Sequence, residues 1–405
     1  AEPDRHEVDA TMNERVYLDW NATTPLRPEA RAAMAAAFDC AGNPSSVHAE
    51  GRAARYLVEQ ARERVAGLLG AEPRNVIFTS GGTEANALAL SPQLAVGGDK
   101  GPRDRLLISA IEHPSVRAGG RFAGASIEDV PVLSSGVIDL AALQARLDVL
   151  RATETGVRPL VALMHANNET GVVQPVAEAA ALVHAAGGLL HVDAVQSAGK
   201  IPCDIERLQA DTVAISAHKL GGPKGAGALV KRSEAIHVGD PLFKGGGQER
   251  GSRGGTENVI GIAGFGAAAE AAGNALAPTA LRMAALRDRL EAMLRDISPD
   301  AVIFGEGLER LPNTTMFAVP GIKAETALIA LDLAGVAVSS GSACSSGKVA
   351  GSPVLAAMNV PAALAIGAVR VSLGPASTDR DVDVLISAWR NLVAGLSKGR
   401  REVAA

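Results

Sequence analysis

A lysine at the end of one predicted strand and an aspartate at the end of the strand before it are the residues best placed to do chemistry. Lys219 stands in "TVAISAHKLGGPKGAGALV", just past a β-rich run and ahead of a loop whose small residues let a ligand approach the backbone closely. An amine held there beside His218 suits Schiff-base formation, because burial and neighbouring charge make a lysine nucleophilic. An isolated lysine before a tight turn would read only as a surface group. Asp193 closes the run in "LLHVDAVQSAGK", about one βαβ step upstream of the lysine. By itself it reads as a turn or helix-capping aspartate. Paired with Lys219, it matches what an aldehyde cofactor of the pyridoxal type needs: a carboxylate to keep the pyridine nitrogen protonated and a lysine to carry the ring.

Two further segments supply what such a cofactor lacks. In "FTSGGTEANALAL" a strand, a glycine-rich turn and a helix start put backbone N–H groups near Gly82 and Thr83, a fitting place for a phosphate. In "ISAIEHPSV" the imidazole of His113 follows another strand end and could lie over a planar ring. Each motif alone is weak, but together they place four groups after four strands of one sheet. The third feature is "SSGSACSSGK", where Cys344 sits among serines and glycines with little to pack against. Buried structural cysteines keep apolar company, so a reactive thiol and an idle exposed one both remain open. Cys40 and Cys203 have no CxxC spacing to each other or to Cys344, which suggests neither zinc nor a disulfide framework.

The elements that must position these groups are legible over roughly residues 75 to 230. The runs "NVIFTS", "RLLISA", "LVALMH", "GLLHVD" and "TVAIS" alternate with helical patterns such as "PVAEAAALVHAAGG", the grammar of parallel βαβ units. Ligands of open α/β sheets bind at the carboxyl ends of strands, where all these candidates fall. Beyond about Gly266 the pattern changes: a long Ala, Leu and Arg helix near Pro278 to Ile297, short strands, and a final helix from "DRDVDVLISAWRNLVAGL". The expected class is α/β, with a mostly parallel central sheet covered by helices on both faces and a smaller α+β domain. The expected division is 18–265 for the large unit and 266–405, with 1–17, for the small one.

Composition narrows the function classes. The chain has 405 residues, a net charge of −5 and 47% hydrophobic residues, enough for a large core. A mildly acidic balance without a basic tract argues against nucleic acid or an anionic membrane as main partner. "VIGIAGFGAAA" is too short to span a bilayer and reads as a buried helix. No apolar secretory segment is apparent at the start, and unpaired cysteines suit a reducing, cytoplasmic setting.

Taken in order, "YLDWNATTP", "GNPSSVHAEG", "FTSGGTEAN", "EHPSV", "HANNETGVVQP", "HVDAVQSAGK", "SAHKLGGPKGAGAL", "GGGQERGSRGGTEN", "SSGSACSSG" and "VRVSLG" run over nearly the whole chain. Together they closely resemble the cysteine desulfurases, the NifS/IscS-like group of the class V aminotransferase family with the fold type I pyridoxal phosphate architecture. The resemblance implies that Lys219 holds pyridoxal 5'-phosphate covalently, that Asp193 pairs with the pyridine nitrogen, that Gln196 bonds the phenolic oxygen and that His113 stacks on the ring and assists proton transfer. It implies a phosphate site of Gly82, Thr83, Ser216 and His218, with Thr256 reaching across from the second subunit of a homodimer. Asn168 and Arg370 would hold the substrate carboxylate, with Asn43 a further substrate contact; no metal is implied. L-cysteine would lose its Cα proton to the freed Lys219, and its sulfur would pass to Cys344 as a persulfide, leaving L-alanine. The sulfur would then go to an acceptor such as an iron–sulfur scaffold. Trp20 and Ile366 depart from the group's usual residues, and a selenocysteine lyase or an inactive binding relative is the alternative reading.

Overall fold

The computed structural model describes residues 15–98, 101–153, 156–341 and 351–403, with side chains described as far as 396. Cys344 and residues 1–14 lie outside the described residues.

Seven strands form the central sheet. In spatial order they are Val76–Thr79, Gly227–Lys231, Thr212–Ser216, Leu189–Asp193, Pro159–Met164, Arg105–Ser109 and Ile127–Val130. Only Gly227–Lys231 runs against the others, pairing antiparallel with both neighbours. The remaining six therefore point their carboxyl ends to one edge. The "NVIFTS" segment reaches that edge through an antiparallel partner, which the alternating sequence pattern did not foresee.

The strands are continuous apolar runs because both faces are covered. Along them, side chains alternate between two cores. Leu107, Val161, Leu163, Leu190, Val192, Val213 and Ile215 pack with helices Ala49–Leu68, Leu140–Thr153, Val176–Ala185 and Val259–Asn274. Leu106, Ile108, Leu160 and Ala162 face the opposite core. The helix read from "VIGIAGFGAAA" is buried as expected, from Gly261 through Ala269. It lies against Ala49–Leu68 so closely that a Cβ on Gly266 would come within 2.5 Å of the Ala61 backbone.

A second sheet of four antiparallel strands has the order Val302–Ile303, Thr314–Ala318, Val369–Ser372, Ser339–Ser340. It packs on helices Leu276–Ile297, Ala324–Leu333 and Asp379–Val403 around Phe317 and Trp389, whose rings meet edge to face with centroids 5.0 Å apart. The short strand Val16–Tyr17 pairs with Val336–Ala337 of this unit. From there residues 18–22 cross towards the large sheet, with a bridge between Asp19 and Ser372. This crossing segment brings the smaller sheet's Arg370 and the large sheet's strand ends to one place.

Candidate active site

A cavity of about 310 Å³ lies at the carboxyl edge of the large sheet. Each wall has a local cause. Lys219 sits in a single helical turn, Ala217–Leu220, directly after Thr212–Ser216; Gly221, at φ +86°, stops the turn in a conformation that favours glycine. Gly82 and Thr83 open the helix Gly82–Ala89 after Val76–Thr79. His113 caps the turn that begins at Pro114, its Nδ1 accepting from Ser115 N at 3.2 Å and contacting Ser115 Oγ at 2.8 Å. Asp193 is the last residue of its strand, and Gln196 follows in the next turn. Asn168, Ser216, His218 and Arg370 complete the set, so ten of the expected residues share one cavity.

Two described ones do not line it. Asn43 is exposed in the loop before helix Ala49–Leu68, and its Oδ1 accepts from Ser45 N at 2.9 Å, so the local turn absorbs the side chain. Thr256 is likewise exposed, in the loop that precedes Val259–Asn274. Cys344 is among the residues not described. A wider groove of about 870 Å³, between helices Ala49–Leu68 and Val259–Asn274, holds none of the expected residues.

The aspartate is firmly oriented. Asn86 Nδ2 donates to its Oδ2 at 2.8 Å and Val195 N to its Oδ1 at 2.9 Å. Asn86 is in turn fixed through Oδ1 by His191 Nε2 at 2.9 Å, and His191 Nδ1 meets Thr212 Oγ1 at 2.9 Å. Burial pushes His191 down to about 3, so it is neutral and its two nitrogens divide into donor and acceptor. Burial also lowers His113, an effect that Asp193 opposes and Lys219 reinforces. His218 falls to about 4 through burial, then through Lys219, Lys224 and Lys200. Around neutral pH these imidazoles carry no charge.

Lys219 Nζ donates to the backbone carbonyls of Asn21 and of Ala22, the latter at 2.8 Å. Arg370 is almost wholly buried: Nη1 donates to Asn168 O at 2.9 Å, Nη2 to Asp19 Oδ1 at 2.8 Å, and its buried Nε has no partner among the described residues. An orphaned guanidinium N–H in such a place is costly unless something else accepts from it.

Sequence reading missed Asn86, Asn21, Lys200 and Asp19. Asn86 lies one helical turn after Gly82, a spacing that turns both towards the same side. Lys200 stands four residues after Gln196. Asn21 and Asp19 fall inside "YLDWNATTP", a segment whose positioning by the smaller sheet is a tertiary fact.

An open α/β sheet with a lysine, an aspartate and a phosphate-ready helix start at one edge defines a cofactor-binding enzyme site. The comparisons agree: the sequence pattern described as aminotransferase class-V matches residues 16–385, and the chain belongs to that family. It is 43% identical to a cysteine desulfurase of Cereibacter sphaeroides over 379 residues, 92% of this chain and 94% of that protein. It is 38% identical to the cysteine desulfurase IscS of Dictyoglomus turgidum, covering 95% of this chain and 96% of that one. The solved structure of a NifS-like protein from Rickettsia africae superposes with a TM-score of 0.83 at 34% identity, over 94% of this chain and 99% of that one. The fold is therefore the fold type I architecture expected from the sequence, and the family is pyridoxal-phosphate dependent. The residues present fit that cofactor: a fixed carboxylate, a lysine amine, uncharged phosphate partners and a neutral imidazole share one cavity.

Proposed function

We propose that this protein is a pyridoxal 5'-phosphate-dependent cysteine desulfurase, converting L-cysteine to L-alanine and leaving sulfur as a persulfide on Cys344. The observation that carries the reading is the convergence of Lys219, Asp193, Gln196, His113 and Arg370 on one cavity. Lys219 would hold the cofactor, Asp193 its pyridine nitrogen and Gln196 its phenolic oxygen. Gly82, Thr83, Ser216 and His218 would hold its phosphate. When bound, the cofactor supplies an electron sink for the carbanion left by Cα deprotonation.

Arg370 and Asn168 orient the substrate by its carboxylate. The unpartnered Arg370 Nε is a donor ready for that group, and an arginine fork suits a carboxylate better than an ammonium does. The Lys219 amine would take the Cα proton, and His113 would pass protons beside it. Cys344 attacks the substrate sulfur as a thiolate. An S–S bond forms while the Cβ–S bond breaks, its electron pair going to carbon, which gains a proton to become the methyl group of alanine. This balances without an external oxidant. A second cavity supports the approach of that thiol: it shares His113 and Asn168 with the first and is lined by Gly341 and Pro353, which flank the segment holding Cys344.

The protein acts as a homodimer, in this reading, with Thr256 serving the partner's phosphate site. Its exposure away from its own chain's cavity supports this. A cytoplasmic setting and delivery of sulfur to an iron–sulfur scaffold or similar acceptor complete the proposal. The test is direct. Protein incubated with pyridoxal 5'-phosphate should gain a visible absorption band that Lys219→Ala lacks, and should release alanine from L-cysteine. A protein that takes up no cofactor, or takes it up and forms no alanine, contradicts the reading.

A further inference from the structure

Lys200 is a second lysine beside the site, and the reaction as described leaves it without a task. Its side chain is buried, yet its partners are two neutral oxygens: Asn21 Oδ1 at 2.9 Å and Gln196 Oε1 at 2.8 Å. No ion pair joins it to a carboxylate among the described residues. Burial, then the nearby charges of Lys219 and Arg370, lower its pKa well below the usual lysine value. Nζ spends one hydrogen on each of these two oxygens.

The geometry fixes an orientation that would otherwise be ambiguous. The Asn21 carbonyl can only accept, so it must face Gln196 Nε2, which lies 3.0 Å away. Gln196 Oε1 must then face Lys200. The same Asn21 carbonyl also accepts from Lys219. Asn21 itself is held on every side: its N by Ser372 Oγ, its Nδ2 by Thr314 Oγ1 and its Oδ1 by Asn313 as well as Lys200. Gln196 lines the cavity and has one amide hydrogen left to offer. Without Lys200, its Oε1 would be a buried acceptor with no donor, and the amide would be held from one side only.

We propose that Lys200 is a positioning residue: its two hydrogen bonds clamp Asn21 and Gln196 so that the Gln196 amide presents only N–H to the cavity and serves an anionic ring oxygen of the cofactor. The inference rests on the cofactor assignment above. It predicts that loss of the clamp weakens donation to that oxygen and raises the proton affinity of the bound chromophore.

The test is an absorbance pH titration of the holoenzyme, with cofactor retention measured on the same samples. Among the described residues, Lys219 and Arg370 act on Lys200, His218 lies within reach of it, Asp19 pairs with Arg370, and His113 and Asp193 line the same cavity; the variants leave all of them unchanged. Lys200→Met should raise the chromophore's apparent pKa by about one unit and loosen the cofactor about tenfold. Gln196→Leu should give the same upward shift, and adding Lys200→Met to it should shift no further. Lys200→Gln, whose amide can still donate to Oε1, should stay within a few tenths of a unit of wild type. Equal titration of wild type and Lys200→Met overturns the inference, as does an undiminished Lys200→Met effect in the Gln196→Leu background. If Lys200→Met does not fold, Lys200→Gln decides: a shift as large as that of Gln196→Leu overturns the clamp. Wild type that binds no cofactor would instead overturn the cofactor assignment itself.

Discussion

Two buried arginines show how this molecule separates framework from site. Arg62, on helix Ala49–Leu68, is fully engaged: Nη1 and Nη2 form a fork on Glu249 at 2.8 and 2.9 Å, Nη1 also reaches Val76 O, and Nε meets Glu59. Glu249 in turn accepts from Phe78 N at 3.0 Å, tying the 245–255 loop to the edge of the sheet. Arg370 is equally buried but incomplete, with one arm on Asp19, one on a carbonyl and Nε without a partner among the described residues. A closed network holds a fold together; an open one awaits a ligand.

The comparison breaks first at Arg62. Arg62→Met should cost about 3–5 kcal/mol of stability, because it leaves Glu249 as a buried uncompensated carboxylate. Replacing both Arg62 and Glu249 with methionine should recover much of the loss in a denaturant titration. If the single variant melts like wild type, the pair is not part of the frame. Arg370→Lys should do the converse, lowering kcat/KM for L-cysteine about 100-fold, since an ammonium cannot reproduce the fork, with little change in melting temperature. Steady-state kinetics beside a thermal melt separates the two arginines.

The smallest of the three effects concerns Glu169, buried beside Gly341, its Oε2 accepting from Ser352 Oγ at 2.5 Å. Burial raises its carboxyl to about 7, against the opposing influence of Ser352 and Arg370. Because the folded state holds this proton more tightly than the unfolded chain does, the stabilisation is fully present below the ordinary glutamate range. It is lost as pH rises through about 7. Glu169→Gln should therefore be more stable than wild type at pH 8 by on the order of 2 kcal/mol, with the difference vanishing near pH 4. A pH-independent difference would contradict the burial argument.

The sequence made the strand-end placements readable because βαβ alternation announces where strands stop: Asp193 is such a stop, and Lys219, His113 and Gly82 follow others. It could not announce the segment 18–22. Asn21 lines the cavity and Asp19 holds its Arg370 from a segment that follows Val16–Tyr17, which pairs with Val336–Ala337, a contact across most of the chain. The reversal of Gly227–Lys231 was also hidden, since a strand buried on both faces looks the same in either direction. Gln196 gained its role through resemblance, and Lys200 stood unremarked in the same quoted motif because a buried lysine looks like an exposed one until its neighbours are known.

The central claim is that sulfur leaves cysteine in this cavity and arrives on Cys344. The most direct measurement follows alanine formation from L-cysteine by cofactor-loaded wild type and Cys344→Ser, with mass analysis of the Cys344 peptide. Wild type should yield alanine and a persulfide on Cys344, and the variant should keep its cofactor absorbance while losing alanine formation. Full alanine formation by Cys344→Ser, or turnover in wild type without sulfur on that thiol, would contradict the account.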